Sequence, residues 1–325
     1  MSPPEAGPLD LLVIGDCNPD VMVVGDDVTP GFGQQEKLVG GISLEIGGSA
    51  AITAVAAARL GLRVALAAAV GDDPAGGFML GQLAAAGVDT APVAVRRDAP
   101  TGITVALSAG ADRAILTAVG AVATLTARDV PAALLLRARH VHVSSYFLVE
   151  RSLGPGLAAL LGAARAAGAR TSLDTNWDPA ERWGDRHLRD ALAHASLLLP
   201  NETEAMRLAG VASVEEAVPV LAGPGPAGPA LVVKLGARGA LYLDGDRRYL
   251  AVPPPVTPVD ATGAGDCFNA GVIAGLLDGL DLPGAVALGC AVGAASTQAP
   301  GGTAGCPDLP TAQALARQVT RRAAA

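Results

Sequence analysis

Aromatic residues make up only 3% of this 325-residue chain, and there are four cysteines and four histidines. With so few rings, the core must be filled by small aliphatic side chains, and half of the residues are apolar. Cys17, Cys267, Cys290 and Cys306 form neither a CxxC pair nor a metal-ligand cluster, so reduced thiols in a cytoplasmic protein are expected. Cations are also short, 23 Lys and Arg against 31 Asp and Glu, for a net charge of −8. That balance excludes nucleic acid or an anionic membrane as the main partner. No apolar run reaches the ~18 residues that span a bilayer, and Met1–Pro8 has neither the basic start nor the apolar stretch of a leader. A G-x-x-x-x-G-K-[ST] P-loop is missing too. The G-x-G-x-x-G spelled by Gly223, Gly225 and Gly228 is a decoy, because prolines interrupt it and a strand follows it, whereas a dinucleotide fingerprint opens a helix. A dehydrogenase is excluded on that ground.

What is present centres on residues 258–271. Pro253, Pro254, Pro255 and Pro258 forbid a helix before this stretch, since proline lacks an amide donor and crowds the preceding turn. Phe268, Val272, Ile273, Leu276 and Leu277 then recur at helical spacing up to Gly279. Gly263, Ala264 and Gly265 leave the amides of the helix start open, which makes an anion site. Asp266 stands beside them, where a carboxylate can accept a proton from an attacking hydroxyl. The alternative is plain capping by Thr262 or Asp266.

The rest of the chain has an α/β rhythm. Strands are predicted over 10–15, 64–70, 141–147, 171–173, 197–199, 231–235 and 240–243, and helices from 49 to 60, from Pro74, over 155–167 and over 186–193. This alternation means a mostly parallel sheet with helices on both faces. Val21–Val24, Lys37–Ile46 and the hairpin pattern of 102–108 with 113–119 form a small separate sheet, read as a lid. The Pro- and Gly-rich stretch 223–229 is a loop. His140 and His142 share a strand face without a third ligand, so their role is structural. Asp174, Asn176, Trp177 and Asp178 follow a strand and could line the same crevice. Asn201–Glu204 reads as an acidic first helical turn or a water-rich magnesium site, Lys234–Ala240 as a β-turn, and Asp20 as a turn residue or ligand.

Asp260 to Asp266 resembles the D-[TA]-x-G-A-G-D signature of the ribokinase-like (PfkB) carbohydrate kinases. Asn201 and Glu204 match the N-x-x-E motif of that family, and Lys234, Gly236 and Gly239 its K-x-G-x-x-G turn. Gly47, Gly48 and the later Leu60-Gly61 match its first signature, with Ile52 where the family has Asn, and Asp20 matches an early Asp. The resemblance covers nearly the whole chain in the family's order. It implies a three-layer α/β/α sandwich with a mostly parallel central sheet and a small β-sheet lid, one kinase domain over 1–325 with lid strands inserted from about 18–46 and 95–120.

The activity implied is ATP-dependent phosphorylation of an alcohol on a sugar or sugar-like molecule. Gly263, Ala264 and Gly265 would form the anion hole and Asp266 the base. Asp20, Gly47, Gly48, Ile52 and Thr101 would hold the acceptor, Asn201, Lys234, Gly236 and Gly239 the ATP, and Glu204 would place Mg²⁺ indirectly. Asp260 and Thr262, with the loop 296–302, would form a monovalent-cation (K⁺) site, although Ala299 replaces the family's basic residue before Pro-Gly. A homodimer through the lid is implied as well. Two rival readings stand beside this one. One is a nucleoside kinase, with Phe32, Tyr146 and Phe147 available for stacking. The other is a non-catalytic sugar or nucleotide sensor, motivated by Ile52 and Ala299.

Overall fold

The computed structural model describes residues 9–109, 112–222, 228–244 and 247–324. Met1–Pro8, the centre of the 109–112 turn and most of the 223–229 loop therefore lie outside the described residues. Strand β1 (Leu9–Ile14) is buried along its whole length, as a strand covered on both faces must be. The chain then leaves that layer. β2 (Asn18–Val24) and β3 (Gly41–Gly47) pair antiparallel, with 37–40 outside the strand. α1 (Ser49–Arg59) brings the chain back to the body, and eight of its eleven residues are buried.

The single strand expected over 64–70 is two. β4 (Val64–Ala67) flanks β1, whereas β5 (Ala69–Gly71) turns off at Ala68 to pair with β6 (Ala94–Arg96). Continuous apolarity hides this break, since both pieces are fully buried. Between them, α2 (Pro74–Ala85) starts at its proline, capped by Asp73, whose carboxylate accepts from the Gly76 amide at 2.9 Å. β7 (Ile103–Ala109) and β8 (Asp112–Ala118) complete a four-stranded sheet in the order β3-β2-β7-β8.

After α3 (Ala132–Leu135) come β9 (Ala138–Val143) and α4 (Tyr146–Ala166). Here the boundary expected from sequence is wrong. Tyr146 and Phe147 open the helix instead of ending the strand, and Pro155 lies inside α4 instead of starting it. Val141, Val143, Tyr146 and Phe147 look strand-like, but Ser145 adopts φ 54° and stops the strand. Tyr146, Val149, Leu153, Leu157, Leu160 and Ala164 then repeat at helical spacing on the buried side. With 21 residues and a mean hydropathy of 1.2, α4 is long and apolar enough to cross a bilayer. Its place here is the crossover from β9 to β10 (Arg170–Leu173), packed on the core.

α5 (Arg186–Leu192), β11 (Leu197–Leu198), α6 (Glu202–Ala209), α7 (Val214–Leu221), β12 (Ala230–Lys234), β13 (Ala240–Asp244) and β14 (Arg247–Val252) follow. The chain closes with α8 (Ala264–Leu277), α9 (Leu282–Ser296), α10 (Leu309–Ala316) and β15 (Thr320–Ala323). The large sheet has the order β15-β14-β13-β12-β11-β10-β9-β1-β4, parallel from β4 to β12 and antiparallel beyond. Residues of α3 to α7 pack on one face, and those of α1, α2, α8, α9 and α10 on the other. The result is the three-layer α/β/α sandwich with a small separate sheet that the sequence leads one to expect. Inside it, His140 Nε2 and His142 Nδ1 each lie 2.7 Å from Ser172 Oγ, a fully buried hydrogen-bonded cluster.

Candidate active site

The prolines at 253–258 keep the chain extended until it meets the loop after α9. Val259 and Asp260 donate their amides to Thr297 O at 2.7 and 3.0 Å. The Asp260 carboxylate accepts from the amides of Thr262 (2.8 Å) and Gly301 (2.9 Å), which ties the two loops together. Gly263 then takes φ 69°, and a Cβ there would lie 2.8 Å from Gly302 Cα, so only glycine fits. α8 starts at once; the Ala264 amide donates to Ala261 O at 3.3 Å, and the other amides of the first turn have no acceptor within the helix. They face the carboxyl edge of the sheet with the positive end of the helix dipole.

Asp266 lies in this first turn, only 8% exposed. Burial pushes its carboxyl well above the usual range, with the Asp174 charge adding to the effect and Lys234 opposing it. Behind it sits an acid-rich cluster. Lys234, one of only two lysines in the chain, pairs with Asp174, and Asn269 bridges the two, donating to Asp174 Oδ2 at 2.6 Å and accepting from Lys234 Nζ at 3.4 Å. Burial works against the Lys234 ammonium, but Asp174 and Glu204 outweigh it and hold its pKa above the ordinary value. Burial, helped by Asp174, pushes Glu204 up to about 7.

A cleft of about 650 Å³ opens beside this cluster, lined mainly by apolar atoms. Gly236, Gly239, Pro254, Phe268 and Thr297 are among its walls, and Lys234, Ala264 and Gly265 line it too. It has the size and lining of a small-molecule site. A family model described as pfkB family carbohydrate kinase matches residues 9–309. The chain belongs to that family.

Relatives of this PfkB chain include the 2-dehydro-3-deoxygluconokinase of Bacillus subtilis strain 168, 31% identical over 289 residues that cover 83% of this chain and 85% of the relative. Ribokinase of the same strain is 32% identical over 281 residues, 85% of this chain and 89% of that protein. Among solved structures, a proposed ribokinase II from Escherichia coli in complex with ATP and Mg²⁺ superposes with a TM-score of 0.81 at 25% identity, covering 95% of this chain and 99% of that one. The three-layer body with its small separate sheet is thus the ribokinase-like fold.

Within this PfkB framework the positions singled out in the sequence fall into three groups. Gly263, Ala264, Gly265 and Asp266 meet at the start of α8, and Lys234, Gly236 and Gly239 line the cleft next to them. Asn201 and Glu204 form a reciprocal cap on α6: the Glu204 amide donates to Asn201 Oδ1 (2.9 Å), and Asn201 donates to Glu204 from its amide (2.8 Å) and its side chain (2.6 Å). Both therefore serve the helix start as well as facing Lys234. On the acceptor side, Asp20 and Gly47 belong to the small sheet, and the Asp20 carboxylate lies so close over Gly47 that a Cβ there would overlap it. Gly48 leads into α1, and Ile52 packs under the turn, with its Cδ1 2.8 Å from where a Cβ on Gly302 would lie.

Thr101 is engaged at the root of β7. Its hydroxyl donates to Asp73 Oδ1 (2.6 Å) and accepts from the Gly71 amide (2.8 Å), while its own amide donates to Asp73 Oδ2 (2.8 Å). It ties the root of β7 to the cap of α2. Two of the three aromatic residues named for nucleoside stacking are packed in the core. Tyr146 is buried with its hydroxyl on Asp185 (3.0 Å), Phe147 packs edge-on against Tyr146 and Trp183, and Phe32 is 97% exposed.

Sequence reading passed over several residues of this crevice. Asp16 accepts the amides of Ser49 (3.1 Å) and Ala50 (2.9 Å) at the start of α1. Ser49 in turn interacts with Asp266 and accepts from Asn176 Nδ2 at 2.8 Å. Burial raises the Asp16 carboxyl against those amide bonds. The signals were the polar turn after β1 and a serine directly after a glycine pair, both too common to single out alone.

Proposed function

We propose that this protein transfers the γ-phosphoryl group of ATP to an alcohol of a small sugar or sugar-like molecule. The observation that carries this reading is the buried Asp266 at the open N-terminus of α8, with the cleft on one side and the Ser49–Asp16 crevice under the small sheet on the other. The adenine end of ATP lies in the cleft, past Gly236 and Gly239, and its phosphates reach the amides of 263–265. Asp266 takes the acceptor proton. The acceptor oxygen then forms the new P–O bond, the bond from the γ-phosphorus to the bridging oxygen breaks, and ADP leaves with the electron pair. Asp266 must be ionised to do this, and its raised pKa makes it a stronger base than an exposed aspartate. The small sheet over the acceptor excludes the water that would compete as nucleophile.

Among the described residues no three acidic, His or Cys groups could hold a metal unaided. That fits Mg²⁺ held largely by phosphate and water oxygens, with Glu204 placed to orient the water shell. The ion would neutralise charge on the transferring phosphoryl group. K⁺ is part of the proposal, supported by the clamp that Asp260 makes between 260–262 and Gly301. So is a single working domain over 1–325, with the small sheet as its lid. A homodimer is supported by the outer face of that sheet, where Val21, Val23, Ile42, Leu44, Val105 and Leu116 share one apolar side. Ile42 and Leu116 are 67% and 63% exposed there. ATP as donor and four unbridged, buried cysteines support a cytoplasmic location.

The test is ADP release from MgATP across pentoses, ketohexoses and nucleosides, with Asp266→Asn beside the natural sequence. Turnover on one acceptor class that falls by ~10²–10⁴ in the variant supports the assignment. Full activity in the variant removes Asp266 from the mechanism.

A further inference from the structure

A second cavity, of about 420 Å³, lies at the amino edge of the large sheet, where the end of α8 meets the start of α9. Leu197, Leu276, Leu280 and Leu282 form its apolar wall, and His140 and Arg170 line it from the sheet. The latter two are register partners on the parallel strands β9 and β10, so both side chains leave the same face. The other polar groups around the cavity are committed. Arg139 donates to Leu277 O at 2.6 Å and so answers the negative end of the α8 dipole, while Asp281 accepts from the Gly284 amide at 2.9 Å as the cap of α9. Ser196 Oγ is held by Thr171. The Arg170 guanidinium has no hydrogen bond or ion pair among the described residues.

His140 brings an unused atom to this cavity. The residue is fully buried, and its Nδ1 has no partner among the described residues. Nε2 of the same ring lies 2.7 Å from Ser172 Oγ, which is also 2.7 Å from His142 Nδ1, and His142 Nε2 is the other unpartnered end of the chain. Burial keeps both rings neutral, holding His140 down at about 3 and His142 at about 4, so each ring has one N–H. Ser172 can give its single hydroxyl hydrogen to only one ring, and the other ring must donate to its oxygen. The three groups therefore have two proton orders. In the first, His140 Nδ1 is an N–H and His142 Nε2 a lone pair; in the second, these are exchanged.

We infer that this cavity binds a small carboxylate with an apolar body, its oxygens on the Arg170 guanidinium and the His140 Nδ1–H, and that occupancy selects the first proton order. The inference is independent of the kinase reading. A planar carboxylate matches the fork of a guanidinium and accepts from a ring N–H, while the leucines cover the rest of the ligand. Asp281 stands at the same wall, so one uncommitted cation suits a single negative charge better than the higher charge of a phosphate. The volume is that of a small-molecule site. The far ring, His142, lies in the field of Asp174 and Lys234, so the selected order also changes the ring dipole that this carboxyl-edge pair meets.

The experiment uses the full-length protein, isotope-labelled in nitrogen, with butanoate, butanamide and inorganic phosphate as probes. Calorimetry reads the affinity of each. Long-range proton–nitrogen correlation reads which nitrogen of each ring carries the proton, and the chain has only four histidines to resolve. Butanoate is expected to bind about 10-fold or more tightly than its uncharged amide. In the saturated butanoate complex, His140 Nδ1 should carry the proton and His142 Nε2 should not. Arg170→Ala, at an exposed position that the fold does not need, should weaken butanoate by about 10-fold and leave butanamide unchanged. No binding of butanoate, equal affinity for its amide, tighter binding of phosphate, or an unchanged affinity in Arg170→Ala overturns the inference. So does a His140 Nδ1 without its proton in the saturated complex. Displacement of butanoate by a non-hydrolysable ATP analogue overturns it too, because the probe then sits in the cleft beside Asp266.

Discussion

The two ends of the large sheet hold buried acids in opposite ways. At the amino edge, Asp10 is gripped by two arginines: Arg63 Nε and Nη2 at 2.9 and 3.1 Å, and Arg139 Nη1 at 3.1 Å. The hydrogen bonds from Arg63 outweigh burial and hold the Asp10 carboxyl down at about 2. At the carboxyl edge, Asp174, Glu204 and Asp266 share a single buried lysine, and burial drives Asp16, Glu204 and Asp266 upward. One end has more cations than acids and is electrostatically at rest. The other has more acids than cations, and its unmet demand is what a phosphate-bound metal ion and an acceptor hydroxyl can satisfy. Perturbed carboxyls mark working sites for this reason.

The most severe way to break the contrast is Lys234→Met. It leaves Asp174 buried without its cation, so the chain should lose about 3–5 kcal/mol of stability in denaturant unfolding. A loss below 1 kcal/mol would mean that the carboxyl-edge acids are already protonated. A finer test uses pH. Asp10 has a folded pKa below its unfolded value, so its contribution is complete above pH ~4 and is lost as pH falls from there toward 2. Glu204 has a folded pKa above its unfolded value of 4.5, so stability is lost as pH rises from there through about 7. Asp10→Asn should cost about 1–2 kcal/mol at pH 7, a figure reduced because both arginine partners are half exposed, and should leave kcat intact. Glu204→Gln should flatten the decline between pH 5 and 8. Melting curves across pH check both, and slopes of the same sign at the two ends would end the comparison.

The smallest effect on the fold comes from a site remote from both ends. Replacing Ile42 and Leu44 by Glu on the outer face of the small sheet should change stability by no more than about 0.5 kcal/mol per chain. It should convert the proposed dimer to monomers in sedimentation velocity while leaving both pH slopes in place. A natural sequence that already sediments as a monomer would remove the dimer from the proposed function.

The sequence made the helix at 264 legible because four prolines and a glycine run leave no other local structure between 253 and 265. The small sheet was legible from period-two alternation in 41–46 and from its hairpin. By contrast, the start of α4 depends on one residue, Ser145, whose left-handed backbone is held by Asn176 from 31 positions away, as its amide donates to Asn176 Oδ1 at 2.9 Å. Local periodicity has no access to such a contact. Asp16 and Ser49 escaped for the same reason, since each is ordinary in its own segment and acquires meaning only from distant partners.

The strand order also sets a timetable for synthesis. β1 emerges first but must wait about 125 residues for β9, its central neighbour, while β10 through β15 then attach one after another to the growing edge. A ribosome delivering 5–20 residues per second would hold β1 and β4 without that partner for roughly ten seconds. The early β1–β4 pair, apolar but for Asp10 and open on one side, is the species a chaperone would meet, and later strands would find an edge already built.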